Sequence, residues 1–253
     1  HGRCGGRLVT TPLPEPVPDT TTPELDALET ETRTLIDRHL DDARDVAATT
    51  VASPVEVTRR NSRLVDRLRQ ARAAIIDTAM GAVRRAVPLG ARDAAREAPP
   101  PAGTEVRYVP DDVDVHRATD DIDLRNDVSF IISSQGLRVE INPPGRRREE
   151  ALEVVEQTLA RIHNVTTTGI HRAYNRGRQW YAALFAYDLK WFTRVDERTC
   201  SRCRPMHGRV IASKERFSLR EPDWEGFDGL PPLHFRCRCY TEVVRRRLFG
   251  GEG

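Results

Sequence analysis

The sequence predicts an α+β fold, with a mainly helical N-terminal part, a β-hairpin insert and a small C-terminal α+β lobe. Three observations carry this. Apolar residues recur at helical spacing over most of residues 24–98 and again over 146–175. β-Branched and alternating apolar residues cluster at 128–141. Twelve of the fifteen aromatic residues lie between Tyr174 and Tyr240, which puts the densest packing of the C-terminal half there.

Taken in order, residues 1–23 carry alternating prolines (Pro12, Pro14, Pro16, Pro18) that exclude helix, so an extended or disordered arm is expected. Residues 24–98 read as a helical docking region. Leu25, Leu28, Leu35, Ile36, Leu40, Ala43, Val46 and Ala47 mark a first helix. Ser53-Pro54 is an N-cap followed by proline at the first helical position. The second helix carries the stripe Leu64, Leu68, Ala71, Ile75 and Ala79, and Pro88 is expected to end it. Such a pair suits either a docking arm or an ordinary helical core.

Ala98–Gly103 is proline-rich and reads as a linker. Residues 104–145 form the predicted small β/loop region. Val128–Ile132 and Leu137–Ile141 read as strands joined by a turn at Ser134-Gln135-Gly136. The acidic stretch Asp111–Asp127 lacks the glycine and terminal glutamate of an EF-hand loop and reads as solvated. Residues 146–245 return to helix, with Leu152, Val155, Leu159 and Ile162 on one face, and finish in a lobe at 190–245 that opens on a strand at Lys190–Val195.

The 253 residues allow one large domain or two small ones. A charged fraction of 31% against 38% hydrophobic leaves much exposed helix or docking surface. No apolar run approaches the roughly 20 residues that span a bilayer, so no membrane partner is expected. The net charge of +2 is uneven: residues 104–142 hold nine acidic and four basic side chains, residues 143–253 fourteen acidic and 21 basic. The basic C-terminal half permits contact with nucleic acid.

Four of the five cysteines fall within 40 residues, as Cys200-Ser201-Arg202-Cys203 and His234-Phe235-Arg236-Cys237-Arg238-Cys239. Zinc takes four soft or borderline ligands in a tetrahedron, typically as two close pairs from separate segments. A CxxC turn supplies one pair and HxxCxC the other, with one ligand to spare. Cys200, Cys203, Cys237 and Cys239 make a Cys4 site; His234 in place of one cysteine makes Cys3His, and His207 is a weaker substitute. A disulfide framework would spread its cysteines more widely. Four cysteines imply a closed, structural Zn2+ site rather than a catalytic one. HExxH, GxSxG, the P-loop, GxGxxG and the zinc-deaminase pattern are all missing, so neither an enzyme nor a small-molecule substrate is expected.

The stretch Lys190–Cys239 resembles the phage Mu protein F-like family of minor head, or head morphogenesis, proteins. The residues that carry the resemblance are Lys190-Trp191, Asp196-Glu197-Arg198-Thr199-Cys200 with Cys203, Gly208, and Pro231-Pro232-Leu233-His234-Phe235-Arg236-Cys237-Arg238-Cys239. Upstream, Ala173-Tyr174-Asn175-Arg176-Gly177 is similar to the helix that precedes this motif in the family. Thr168-Gly169-Ile170-His171-Arg172 departs from it, where members often carry an Arg-Thr-Glu-like stretch. The resemblance implies a metal site at the Cys/His positions and a low-copy head protein at the portal vertex of a tailed phage or prophage. Its implied partners are the portal protein, other head components and DNA, in the virion and in the host cytoplasm during assembly. Arg172, Arg176, Arg178, Arg202, Arg204, Arg236 and Arg238 are the candidate phosphate contacts; the competing reading has them solvate the lobe or pair with Asp and Glu. The alternative function is a zinc-dependent nucleic-acid-processing enzyme or a DNA-binding module.

Overall fold

The computed structural model describes residues 23–104, 109–122, 124–193, 201–218, 228–234, 237 and 239–246. Six α-helices are followed by a small three-stranded sheet: α1 Pro23–His39, α2 Asp41–Ala48, α3 Pro54–Glu97, α4 Asp112–Thr119, α5 Leu124–Ile141, α6 Arg148–Leu184, then β1 Asp188–Phe192, β2 Val210–Ala212 and β3 Tyr240–Val244. The predicted α+β class holds. The N-terminal arm, apart from Pro23, lies outside the described residues.

The long helices α3 and α6 form the central pair, with α1, α2 and α5 packed against them. One core joins them, including Leu28, Ile36, Leu64, Leu68, Val83, Val128, Ile132, Val155 and Ile162. The segment expected as a docking region is therefore helical and shares its core with α6. α3 starts where the sequence places it: the Ser53 hydroxyl accepts from the Glu56 amide at 3.3 Å, and the Glu56 carboxylate accepts from the Ser53 amide at 3.0 Å.

Two expectations need correction. Pro88 does not end α3, which continues to Glu97. The proline removes one helical hydrogen bond, a cost of about 3 kcal/mol in a helix interior. Val87, Ala91 and Ala94 around it are fully buried, and their packing offsets that cost. The β-hairpin at 128–141 is helix α5. Its buried residues Leu124, Val128, Ile131, Ile132, Gln135 and Val139 follow helical spacing, whereas the apparent alternation mixed them with the exposed Phe130, Leu137 and Ile141. Gly136, read as a turn, lies within the helix beside Val65.

α3 and α6 cross at unusually close range. A β-carbon on Gly90 would lie 1.9 Å from the Tyr174 carbonyl oxygen, and one on Gly177 would lie 1.9 Å from that of Val87. Only glycine lets the two backbones touch there. In the sheet, β1 is central and antiparallel to both neighbours; Lys190 pairs with Val210 on one side and Glu242 on the other. A second core under the sheet combines Leu189, Trp191, Phe217, Leu233 and Val243 with Ala91, Ala94, Tyr181 and Ala182 from the ends of α3 and α6.

Gly177→Ala should destabilise the protein by about 1–3 kcal/mol or more, as overpacking does in a filled core. Gly81→Ala, with nothing within 4 Å of the new methyl, should instead stabilise it by about 0.5–1 kcal/mol. Urea unfolding of both variants tests the contrast; equal effects would exclude the close crossing.

Candidate metal centre

Three chain segments converge at the open end of the sheet. The first follows β1: Thr193 donates its hydroxyl to the Cys203 carbonyl at 3.0 Å and accepts from the Cys239 thiol at 3.6 Å. In the second, Cys203 leads into a 3-10 turn at Arg204–Met206, closed by Met206 N–H to the Cys203 carbonyl at 3.0 Å. Gly208, at φ 79°, then turns the chain so that its amide donates to the Trp191 carbonyl at 2.8 Å. The third runs from Pro231 into β3, with Cys237 N–H donating to the His234 carbonyl at 3.1 Å and Cys239 preceding Tyr240.

The three buried thiols Cys203, Cys237 and Cys239 have sulfur atoms all within 4.8 Å of one another. Cys203 and Cys237 are 3.6 Å apart, and Cys203 Sγ is 3.3 Å from His234 Nε2. None of the three is in a disulfide. Such a cluster can hold a metal ion, and it is the only group of three or more metal-capable side chains found among the described residues. The acidic stretch forms no such group: Asp112 and Asp114 lie in the first turn of α4, and Asp121 pairs with Arg176.

Of the predicted ligands, Cys200 lies outside the described residues. His207 is committed elsewhere, its Nδ1 accepting from the Thr193 amide at 3.1 Å and its ring edge-on to Phe192. Cys237 and Cys239 both precede β3, which begins at Tyr240. The thiols also share charge unequally. Hydrogen bonds from Cys203 and Cys239 push the Cys237 thiol down to about 2. Donation to Cys237, then to Cys239, pushes Cys203 up. Cys203 pulls Cys239 down, but Cys237 and burial outweigh it and lift Cys239 to about 12. The three thiols thus form one hydrogen-bonded cluster, and a bound cation would favour their thiolate forms.

The basic run Arg172–Arg178 supports this centre from behind. Arg178 is completely buried: Nε donates to the Thr241 carbonyl, Nη1 to the Tyr174 hydroxyl at 3.1 Å, and Nη2 to the Glu97 carboxylate. Burial works against its charge, but Glu97 and Tyr174 outweigh it and raise the guanidinium pKa. Tyr174 donates to Asp93 at 2.8 Å. Asn175 accepts from the Thr241 amide at 2.8 Å and donates to the His171 carbonyl at 2.9 Å. Arg176 spans Asp121, the Ala118 carbonyl at 2.9 Å and Asp228 at 2.7 Å. His171, where the sequence departs from the family pattern, lies 2.6 Å from Glu29 of α1.

Arg176 and Arg178 are both paired with carboxylates of the same chain, Arg176 with Asp121 and Asp228 and Arg178 with Glu97, as the competing reading has them. Arg172 is half-buried, Arg202 and Arg204 are exposed, and Arg236 and Arg238 lie outside the described residues. Sequence reasoning missed Thr193, Glu97 and Asp93. A lone threonine after a strand and two carboxylates on a distant helix give no local signal.

Fold and site together define a helical protein that carries a thiol-rich, metal-competent lobe. Residues 145–242 match the family model described as Phage Mu protein F like protein, so this segment is similar to that family. Neither the curated proteins nor the solved structures give a significant match to the chain. Among the described residues, no helix is long and apolar enough to cross a membrane.

Burial raises the Tyr174 pKa well above the usual tyrosine value of about 10. The folded state thus favours the neutral phenol; its contribution to stability is complete below pH ~10 and is lost as pH rises through the folded value. In an alkaline titration followed by tyrosinate absorbance, one of the five tyrosines should resist ionisation until the fold is lost. Smooth ionisation of all five with the helical signal intact would refute this.

Proposed function

We propose that this chain is a minor head protein of a tailed bacteriophage or prophage. It acts as a structural and interaction protein at the portal vertex during head assembly and DNA packaging or ejection. The observation that carries this reading is the family match over residues 145–242. Its partners are the portal protein and other head components, and it resides in the virion and, during assembly, in the host cytoplasm. Among the described candidates for DNA contact, Arg202 and Arg204 are exposed and would meet the phosphates, together with Arg236 and Arg238 of the cysteine motif. In this reading the protein catalyses nothing.

The thiol cluster is proposed as a structural Zn2+ site. A tetrahedral zinc with Zn–S bonds of ~2.3 Å sets its ligand atoms roughly 3.8 Å apart. The 3.6 Å between Cys203 and Cys237 and the 3.3 Å between Cys203 and His234 suit that spacing. Cys203, Cys237 and Cys239 would hold the ion with His234 as the fourth ligand, Cys200 being the alternative. The metal would supply a cross-link between the turn after Cys203 and the loop that enters β3. Thr193, bonded to both Cys203 and Cys239, would hold those two ligands in place.

Elemental analysis of the purified chain should find about one zinc per molecule under the four-ligand rule. Cys203→Ser or Cys239→Ser should abolish it and loosen the lobe, seen as altered tryptophan fluorescence, while most helical circular dichroism remains. A metal-free wild type of undiminished stability would sink the zinc assignment. For the head role, the tagged chain should recover the portal protein from cells assembling phage heads. A folded, zinc-loaded chain that brings down no head component would overturn it.

A further inference from the structure

We propose that α5 is a self-association surface, through which two copies of this chain pair about a twofold axis. The proposal is independent of the metal and head-assembly readings.

α5 is apolar on both sides. Leu124, Val128, Ile131, Ile132 and Val139 face the core. On the outer side Phe130 is 74% exposed, Leu137 54% and Ile141 74%. Spacings of seven and four residues align these three in one ridge. The helix cannot rotate to hide it, because its opposite side is already buried in the core. At the surface Arg138 bonds to Gln157 of α6, a contact it can exchange for another, and Glu140 to Arg69 of α3 at 2.9 Å. A helix apolar on two faces is suited to burial on both.

The pattern of the ridge identifies its occupant. Ser133 and Ser134 lie at its centre, with Phe130 and Leu137 three residues to either side. Asp127 and Arg138 lie on one shoulder, eleven residues or about three turns apart. An antiparallel second copy of α5 would set Phe130 on Leu137 of its mate and let the serines approach closely. It would also bring Asp127 near the mate's Arg138, and symmetry would repeat each contact. An isologous interface requires this kind of self-complementarity. A single helix pair is small for a specific interface, so the dissociation constant should be micromolar or weaker.

Sedimentation equilibrium of the full chain from about 1 µM to 1 mM tests the idea. Reversible dimerisation is expected. Phe130→Asp should weaken it by roughly a hundredfold, because each dimer buries two copies of the ring. Asp127→Arg and Arg138→Asp should each weaken it, and the two together should restore it. Circular dichroism of every variant should match the wild type, since all three positions are exposed. A wild type that stays monomeric throughout, a dimer indifferent to Phe130→Asp, or a double variant no better than the singles would overturn the proposal.

Discussion

The buried guanidinium of Arg178 is the interaction on which the arrangement of the molecule depends. A charge without solvent access is tolerated only when hydrogen-bonded and paired. Its partners come from three places: Glu97 at the end of α3, Tyr174 one turn back on α6, and the Thr241 carbonyl in β3. Glu97 also accepts from the Val243 amide at 3.2 Å, and Asn175 binds the Thr241 amide. Displacing the sheet from the helices would strand several of these groups at once. Such a network need not add net stability over an apolar core; it selects one arrangement.

That selection works because the helices meet so closely. Gly90 and Gly177 let α3 and α6 touch backbone to backbone, directly beside Tyr174 and Arg178. With larger residues there, Glu97 and Asp93 would sit too far from their partners. The continuation of α3 through Pro88 belongs to the same design, since the last turns beyond the proline carry Asp93, Ala94 and Glu97. The segment from Ala173 to Gly177, which carries part of the family likeness, thus serves architecture. Its one charged residue, Arg176, is engaged within the chain by Asp121 and Asp228.

What could be read from the sequence was local in origin. Ser53 with Glu56, the strand at Lys190, and the clustering of Cys203 with Cys237 and Cys239 depend on neighbours or on strongly typed side chains. The hairpin reading of α5 failed because Phe130, Leu137 and Ile141 are apolar yet exposed, which hides the helical period of the buried set. Pro88 misled because its local penalty is outweighed by packing against a helix 80 or more residues away. Arg176 and Arg178 resembled a basic surface because their carboxylate partners lie on α3, just after α4 and in the lobe. The thiol cluster itself was legible, whereas Thr193 behind it was not, since its role exists only after β1 and β3 have paired.

The division of labour between packing and metal follows from where the second core lies. The lobe does not fold around itself: Ala91 and Ala94 of α3, Ala98 just past its end, and Tyr181 and Ala182 of α6 supply one wall of its interior. Trp191 and Phe217, in edge-to-face contact at 5.1 Å, fill the space between that wall and the loops. β1 and β3 are therefore held by the helices and the Arg178 network. An ion bound by the three thiols would link segments that the second core already brings together, since Cys203, Cys237 and Cys239 are buried members of it. The cluster stands at the end of the sheet where Thr241 of β3 is bonded to Asn175 and Arg178, next to Gly177 of the α3–α6 crossing, so the placement of Cys239 is tied to that crossing.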